Sequence, residues 1–580
     1  MPRLDEDDSR GRRRALAVLA VLAGAYLVLA VRVVYLQVIQ GPELASRAER
    51  QHERSIAVEA ERGTIYDRKG RVLATDLTVP SLYAVPSMID NPASIARELA
   101  VVLGMDARSL AKRLSEDREF IWLSRRVNPE VARAVEDLGA DGIRLMPEPR
   151  RIYPKKMLLG HALGFAGADH TGLEGLERAY DRVLRGEKGR LIYERDGMGH
   201  RLFPKDFRYV APSRGHDLVL TIDEVVQYVS ERELDTALDE TGAESGTVLV
   251  MDPSNGHLLA MAVRPAFNPN EVDSRRPGLW RNRSVTDLFE PGSTFKIVAA
   301  AAALEAGLIR PTDLIDCEQG RWPLAGGVLH DHEPSGVIPF SEVIAKSSNI
   351  GLAKVATRLG PERLARAIAA FGFGRKTGID VGGEVSGSVA PIARWSRRSL
   401  ATIAIGQEVS ATSIQLITAY AAIANGGRLV KPRLVAAVRG AGGIDMPTVA
   451  DVAESRVMSA RTARTMTALL EGVVSRDGTG RLAAIDGVRV AGKTGTAQQI
   501  DPETGRYAAD RVAASFIGFA PAERPAIVVL VVIDNPSGRG WGGTVAAPVF
   551  RRIAEATLRH LDEVRPPEAP SPGLTQVARR

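Results

Sequence analysis

One cysteine, Cys317, is all that the 580 residues contain. No intramolecular disulfide can form, and a zinc site built from clustered cysteines is excluded. So low a cysteine content is compatible with export. The net charge of +6 comes without a dense Lys/Arg block or a nucleic-acid-binding motif. Nucleic acid is therefore not expected as a partner, and the mild basicity suits an anionic surface such as a membrane or an acidic polymer. Repeats at solenoid periods are missing as well. What remains is globular composition, 45% hydrophobic and 25% charged, in a chain too long for one ordinary domain.

One long uncharged run stands out. Arg10, Arg12, Arg13 and Arg14 precede Ala15 to Val31, and Val33 to Ile39 continues the apolar character after Arg32. At ~1.5 Å per residue, a helix over 15–39 is long enough to cross a ~30 Å hydrocarbon core, with Arg32 reaching the far interface. The arginines predict that residues 1–14 stay in the cytoplasm. A signal peptide cleaved after Val28-Leu29-Ala30 is the competing reading. The apolar run exceeds that of an ordinary signal, which favours an uncleaved anchor.

Two modules follow. Residues 40–214 begin with a polar helix, Glu43 to Arg54. Next comes Arg62-Gly63-Thr64-Ile65-Tyr66-Asp67-Arg68-Lys69-Gly70, which predicts two short strands around a Lys-Gly turn. Helical periodicity covers Ala96 to Glu116 and Pro129 to Leu138. No catalytic constellation is visible in this stretch, and a scaffold or docking role is expected. Residues 215–564 start with a strand and a helix. The strands Thr247–Asp252 and His257–Val263 form a hairpin across Pro253-Ser254-Asn255-Gly256. Helices dominate from Ser293 to about Asn425. Strands return at Val488–Gln498, Ala513–Ala520 and Ala526–Asp534, followed by a helix near Val545 to Leu561. This order predicts an α+β fold, one antiparallel sheet sandwiched by helices. Residues 565–580 are Pro-rich and expected to be disordered.

Three short motifs lie in order in the second module. Ser293 and Lys296, in Glu290-Pro291-Gly292-Ser293-Thr294-Phe295-Lys296, fall at the start of an Ala-rich helix that Gly307 closes. Residues at i and i+3 share a helix face, so hydroxyl and amine can meet. A buried lysine with a lowered pKa could then deprotonate the serine. Ser347-Ser348-Asn349 comes second. Lys493-Thr494-Gly495-Thr496 comes third, on a strand where Thr494 and Thr496 share one face. Gly495 there would let a ligand approach the backbone. A strand edge with a cation and two hydroxyls suits an extended substrate ending in a carboxylate. Singly, these motifs are as often caps, loops and turns. Ordered together on helix, loop and strand, they are specific. His330-Asp331-His332 invites a metal reading, but that would need further ligands and a dry pocket, and a loop near a polar edge is the better one.

With these residues the chain resembles the class B penicillin-binding proteins, most of all the division-specific members, over nearly its whole length. The Arg62–Gly70 run, Arg151-Ile152-Tyr153-Pro154, Gly172-Leu173-Glu174-Gly175-Leu176-Glu177 and Arg281-Asn282-Arg283 carry the likeness outside the three motifs. The resemblance implies an N-terminal membrane anchor, an elongated non-catalytic pedestal or dimerisation module and a transpeptidase domain. It implies that Ser293 is acylated by a stem peptide ending in D-Ala-D-Ala, with Lys296 as general base and Ser347 passing a proton to the leaving D-alanine. Asn349 would bind the substrate backbone, and Lys493, Thr494 and Thr496 its carboxylate. The N–H groups of Ser293 and Thr496 would form the oxyanion hole. An amine of a second stem resolves the ester, and β-lactams stall it. No cofactor or metal is implied. The expected partners are a lipid II polymerase of the SEDS family and other divisome membrane proteins. The expected location is the bacterial inner membrane, with the catalytic part outside.

An elongation-specific transpeptidase, a β-lactam sensor, a carboxypeptidase and a β-lactamase are the competing readings. A class A lactamase needs a glutamate for deacylation, and no Glu-x-x-x-Asn lies between Ser347 and Lys493. A chain starting at residue 216 is expected to keep the acylation chemistry.

Overall fold

The computed structural model describes residues 5–40, 53–118, 120–194, 208–324, 327–440, 443–447, 455–500, 507–537 and 540–564. Most of the expected polar helix at 43–54 and the expected disordered tail at 565–580 lie outside them. The chain forms two compact units, Met1–Ala60 with Glu187–Ser213, and Glu61–Gly186 with Arg214–Arg580.

The first unit contains helix α1, Asp5–Val34, which continues through a π turn, Tyr35–Ile39. Its stretch Arg12–Ile39 is long and apolar enough to cross a membrane. The unit also holds a three-stranded antiparallel sheet of Glu53–Val58, Gly189–Glu194 and Arg208–Val210.

The second unit is built on two sheets. The third motif lies on a five-stranded antiparallel sheet of Ser245–Met251 (β1), Leu258–Arg264 (β2), Ala491–Ile500 (β3), Tyr507–Ala520 (β4) and Ile527–Asp534 (β5), in the order β2-β1-β5-β4-β3. Side chains alternate faces along a strand, so a strand buried on both sides feeds two cores. Val248 and Val250 of β1 pack with Val529 and Val531 of β5 against Glu224–Thr241 (α2) and the C-terminal helix Gly542–Val564. Leu249 and Met251, with Leu530 and Val532, enter the opposite core. That core holds helices Lys296–Glu305 (α3), Asn349–Leu359 (α4) and Ser413–Ala424 (α5). This is the expected sheet between helix layers, and β3 is its edge.

A seven-stranded sheet occupies the other part of the unit. It runs through Asp445–Pro447, Val435–Arg439, Asp217–Leu220, Ile65–Tyr66, Val72–Ala84 and Ile121–Ser124, with Ile143–Ile152 also paired to Val72–Ala84. Ile65–Tyr66 pairs in parallel with Asp217–Leu220. One sheet therefore crosses the module boundary read at residues 214/215. Beneath it lies a buried charge network. Arg62 donates to Glu177 at 2.7 Å and Asp181 at 2.7 Å, and Arg151 to Glu177 at 2.6 Å and Asp76 at 3.3 Å. The single helix expected over Ala96–Glu116 is two, Pro92–Leu103 and Ala107–Leu114. Gly104 ends the first in the left-handed region at φ +62°, and the Asp106 side chain caps the second.

Candidate active site

Ser293 sits in a 3-10 turn, Gly292–Phe295, that leads directly into α3. The turn is fixed from several sides. Gly292 donates its N–H to the Gly406 carbonyl at 3.1 Å. Tyr420, fully buried on α5, donates its hydroxyl to the Thr294 carbonyl at 2.8 Å. A Cβ on Gly406 would lie 2.1 Å from the Gly292 oxygen, so the close approach requires glycine there.

Lys296, the first residue of α3, is 1% exposed. Its ammonium donates to the Ser347 carbonyl at 2.5 Å, to Ser347 Oγ at 3.2 Å and to Asn349 Oδ1 at 2.8 Å. Ser347 Oγ in turn donates to Ser293 Oγ at 3.1 Å. Among the described hydrogen bonds Lys296 does not meet Ser293 directly, as the i,i+3 spacing predicted. Ser347 stands between them. The reason is local: Ser347 adopts the left-handed conformation, φ +59°, after the helix Phe340–Ala345. This conformation, unusual for serine, presents both its carbonyl and its hydroxyl to the amine. Burial lowers the Lys296 pKa to about 7, against the opposing influence of Asp331 and Cys317.

Asn349 opens α4, and what holds it is a residue the sequence motifs do not include. The Asp331 carboxylate accepts the Asn349 N–H at 2.5 Å and the Ile350 N–H at 2.9 Å, and the Ser348 hydroxyl donates to it at 2.6 Å. Ser348 Oγ also accepts the Gly351 N–H at 2.9 Å. Asp331 thus caps the helix that carries Asn349. His332, its neighbour, stacks on Trp541 with ring centroids 4.2 Å apart.

β3 completes the site. Thr494 and Thr496 line the cleft together, as their spacing predicts. Thr494 Oγ1 lies 2.8 Å from Thr479 Oγ1, and Thr496 Oγ1 accepts the Gly542 N–H at 3.1 Å. Lys493 and Gly495 face the other way. Lys493 is fully buried, its amine 3.3 Å from the Thr494 carbonyl and 3.5 Å from Thr494 Oγ1. Burial, then the Lys296 ammonium, pushes its pKa well below the ordinary lysine range. Burial is the main cause at Lys296 as well, so the two buried lysines are both depressed. Gly495 has a different reason from the expected one. A Cβ there would lie 2.4 Å from Ser515 Oγ and 2.8 Å from Thr294 Cγ2, so glycine lets the strand lie against the Ser293 turn.

The cleft bounded by Ser293, Ser347, Asn349, Thr494 and Thr496 encloses about 690 Å³, room for a peptide end. Arg476, Arg481 and Lys346 also line it, unforeseen from the motifs, balanced by Glu290, Glu333 and Asp477.

Two family models match the chain, the penicillin binding protein transpeptidase domain over residues 246–555 and the penicillin-binding protein dimerisation domain over residues 57–220. Stage V sporulation protein D of Bacillus subtilis is 37% identical over 95% of this chain and 86% of its own. Peptidoglycan D,D-transpeptidase FtsI of Escherichia coli is 34% identical over 92% of this chain and 89% of its own. The structure of penicillin-binding protein 3 from Mycobacterium tuberculosis, complexed with aztreonam, superposes with a TM-score of 0.68. It is 30% identical over 88% of this chain and 98% of that one.

Proposed function

The chain belongs to the class B penicillin-binding proteins, and from that premise we propose that it cross-links peptidoglycan stem peptides through an ester on Ser293. The observation that carries this is the hydrogen-bonded line from the Lys296 amine through Ser347 Oγ to Ser293 Oγ. With its pKa lowered to about 7 by burial, the Lys296 amine can be neutral near neutral pH. The neutral amine takes the Ser293 proton through Ser347 as Oγ attacks the penultimate D-alanine carbonyl. The N–H groups of Ser293 and Thr496 receive the oxyanion. The C–N bond breaks, and the terminal D-alanine leaves with that proton on its nitrogen. An amine of a second stem then attacks the ester and forms the new amide. Its proton returns through the same line to Ser293 Oγ. Thr494 and Thr496 take the substrate carboxylate. Lys493 lies beneath them, and an arriving carboxylate favours its charged form.

Labelled penicillin should add one equivalent of mass, mapped by digestion to the peptide containing Ser293. Ser293→Ala should abolish the label and leave thermal melting unchanged. Label on another residue would refute the assignment.

The same reading places the work in septal wall synthesis. Residues 15–39 form a single membrane span with 1–14 inside. Residues 40–214 form the pedestal that docks a SEDS-family lipid II polymerase, and 215–564 form the catalytic domain. The arginines ahead of the span and the division-type motifs support it. Depletion should give filaments with unclosed septa, and outside protease should reach the catalytic part. Swollen, still-dividing cells would favour elongation.

A further inference from the structure

A hydroxyl that belongs to none of the three motifs stands beside the third. Thr479 lines the Ser293 cleft, and its Oγ1 lies 2.8 Å from Thr494 Oγ1. It sits in the loop Gly478-Thr479-Gly480, after the helix Ala460–Val474. Backbone contacts hold that loop from several sides. The Gly480 N–H donates to the Val473 carbonyl at 2.8 Å. The Thr479 N–H donates at 3.4 Å to the carbonyl of Ala345, which ends the helix leading to Ser347. A Cβ on Gly478 would lie 2.1 Å from the Val473 oxygen, and one on Gly543, in the first turn of the C-terminal helix, 2.2 Å from the Thr479 oxygen. Glycine at both positions lets backbone pack on backbone, and the packing fixes the loop's one side chain against Thr494.

A hydroxyl has one proton to give and two lone pairs to fill. Thr496 Oγ1 accepts the Gly542 N–H at 3.1 Å, so its proton is left for the cleft. Thr494 Oγ1 has two neighbours, the Lys493 amine at 3.5 Å and the Thr479 hydroxyl at 2.8 Å. We propose that Thr479 is a positioning residue for the substrate's terminal carboxylate. It donates to Thr494 Oγ1, occupies the lone pair that Lys493 does not reach, and turns the Thr494 proton into the cleft. The inference rests on reading Thr494 and Thr496 as the groups that take that carboxylate. Two O–H groups directed into one cleft match an ionised carboxylate, which only accepts. They match a carboxamide poorly, because its NH2 group faces a donor with a donor. Without Thr479, the Thr494 proton has other directions open, and the match to a carboxylate is lost.

The test uses the full-length protein and two probes, the thioester of N-benzoyl-D-alanine with thioglycolate, which ends in a carboxylate, and the same thioester with thioglycolamide. The measurement is kcat/KM for thiol release from each. The wild type should prefer the carboxylate probe by at least about tenfold. Thr479→Val, which keeps the shape and removes the hydroxyl, should lower kcat/KM for the carboxylate probe about tenfold and for the carboxamide less than about twofold. Thr479→Ser should restore the wild-type ratio to within about twofold. Both probes are read on the same sample, so any loss of folded protein cancels in the ratio. A ratio unchanged in Thr479→Val overturns the proposal, whether both probes slow equally or neither does, and would leave the preference to Arg476, Arg481 or Lys493. A ratio lost in Thr479→Ser as well, or a wild type without preference, also overturns it. If neither thioester nor penicillin acylates Ser293, the reading on which the proposal rests fails instead.

Discussion

Lys296 is where pH should act most directly on the chemistry. Its pKa of about 7 places the change from ammonium to free amine within the working range. Only the free amine accepts a proton, so acylation by penicillin should rise from about pH 5.5 and level off above about 8, around an inflection near 7. Lys296→Arg keeps a cation that does not deprotonate. It should fold normally, acylate at least ~100-fold more slowly, and lose the inflection. A folded arginine variant with the wild-type rate and profile would mean that Lys296 only holds Ser347 and Asn349 in place. The motifs singled out Lys296, Ser347 and Asn349, whose side chains the structure brings together, because each short motif keeps its own local form. Lys493 was legible as a member of the site but not as a residue hidden behind its strand. Its depth depends on what packs below β3, including the Lys296 amine that shifts it.

At the scale of elements, the Ser293 turn, the start of α4 and the edge strand must be held against one another. Strand and helix positions were readable from periodicity. The β1–β2 hairpin, the three returning strands and the C-terminal helix all appear near their expected bounds. What was not readable is the carboxylate that fixes α4. Asp331 comes from a loop with no helical pattern, and nothing near it in sequence announces its target. It accepts two N–H groups and one hydroxyl there. Asp331→Ala leaves those donors without a partner at a half-buried site, which should destabilise the protein by about 1–3 kcal/mol. Acylation should slow as well, because Asn349 Oδ1 and the Ser347 carbonyl together position the Lys296 amine. Asp331→Asn, which keeps one acceptor oxygen, should fall between. Unchanged melting and unchanged acylation in the alanine variant would remove Asp331 from the support of the site.

At the scale of the whole molecule, composition marked one apolar span and two folded modules, but it placed the cut at residues 214/215 where a sheet is continuous. Asp217–Leu220 pairs with Val435–Arg439 on one side and with Ile65–Tyr66 on the other. The Leu218 N–H donates to the Thr64 carbonyl at 2.9 Å, and the Arg68 N–H to the Ile222 carbonyl at 2.9 Å. Asp217 accepts the Thr64 N–H at 2.6 Å, and Lys69 pairs with Asp223 at 3.2 Å at the start of α2. Leu218 and Leu220 are fully buried in the same core as Ile65 and Leu73. Pairing between strands so distant in sequence leaves no local trace, which is why composition missed it. A chain starting at residue 216 would expose those leucines and an unpaired strand edge, a template for self-association. That narrows the expectation that such a fragment still acylates. Residues 53–564 retain every one of these contacts and should acylate with penicillin at the full-length rate. Residues 216–564 should melt at least several degrees lower, elute as aggregates and label to a smaller fraction. The comparison needs only melting, size-exclusion and labelling of the two fragments side by side. A monomeric 216–564 fragment that melts with the longer one and labels fully would show that the shared sheet is not needed to hold the catalytic part together.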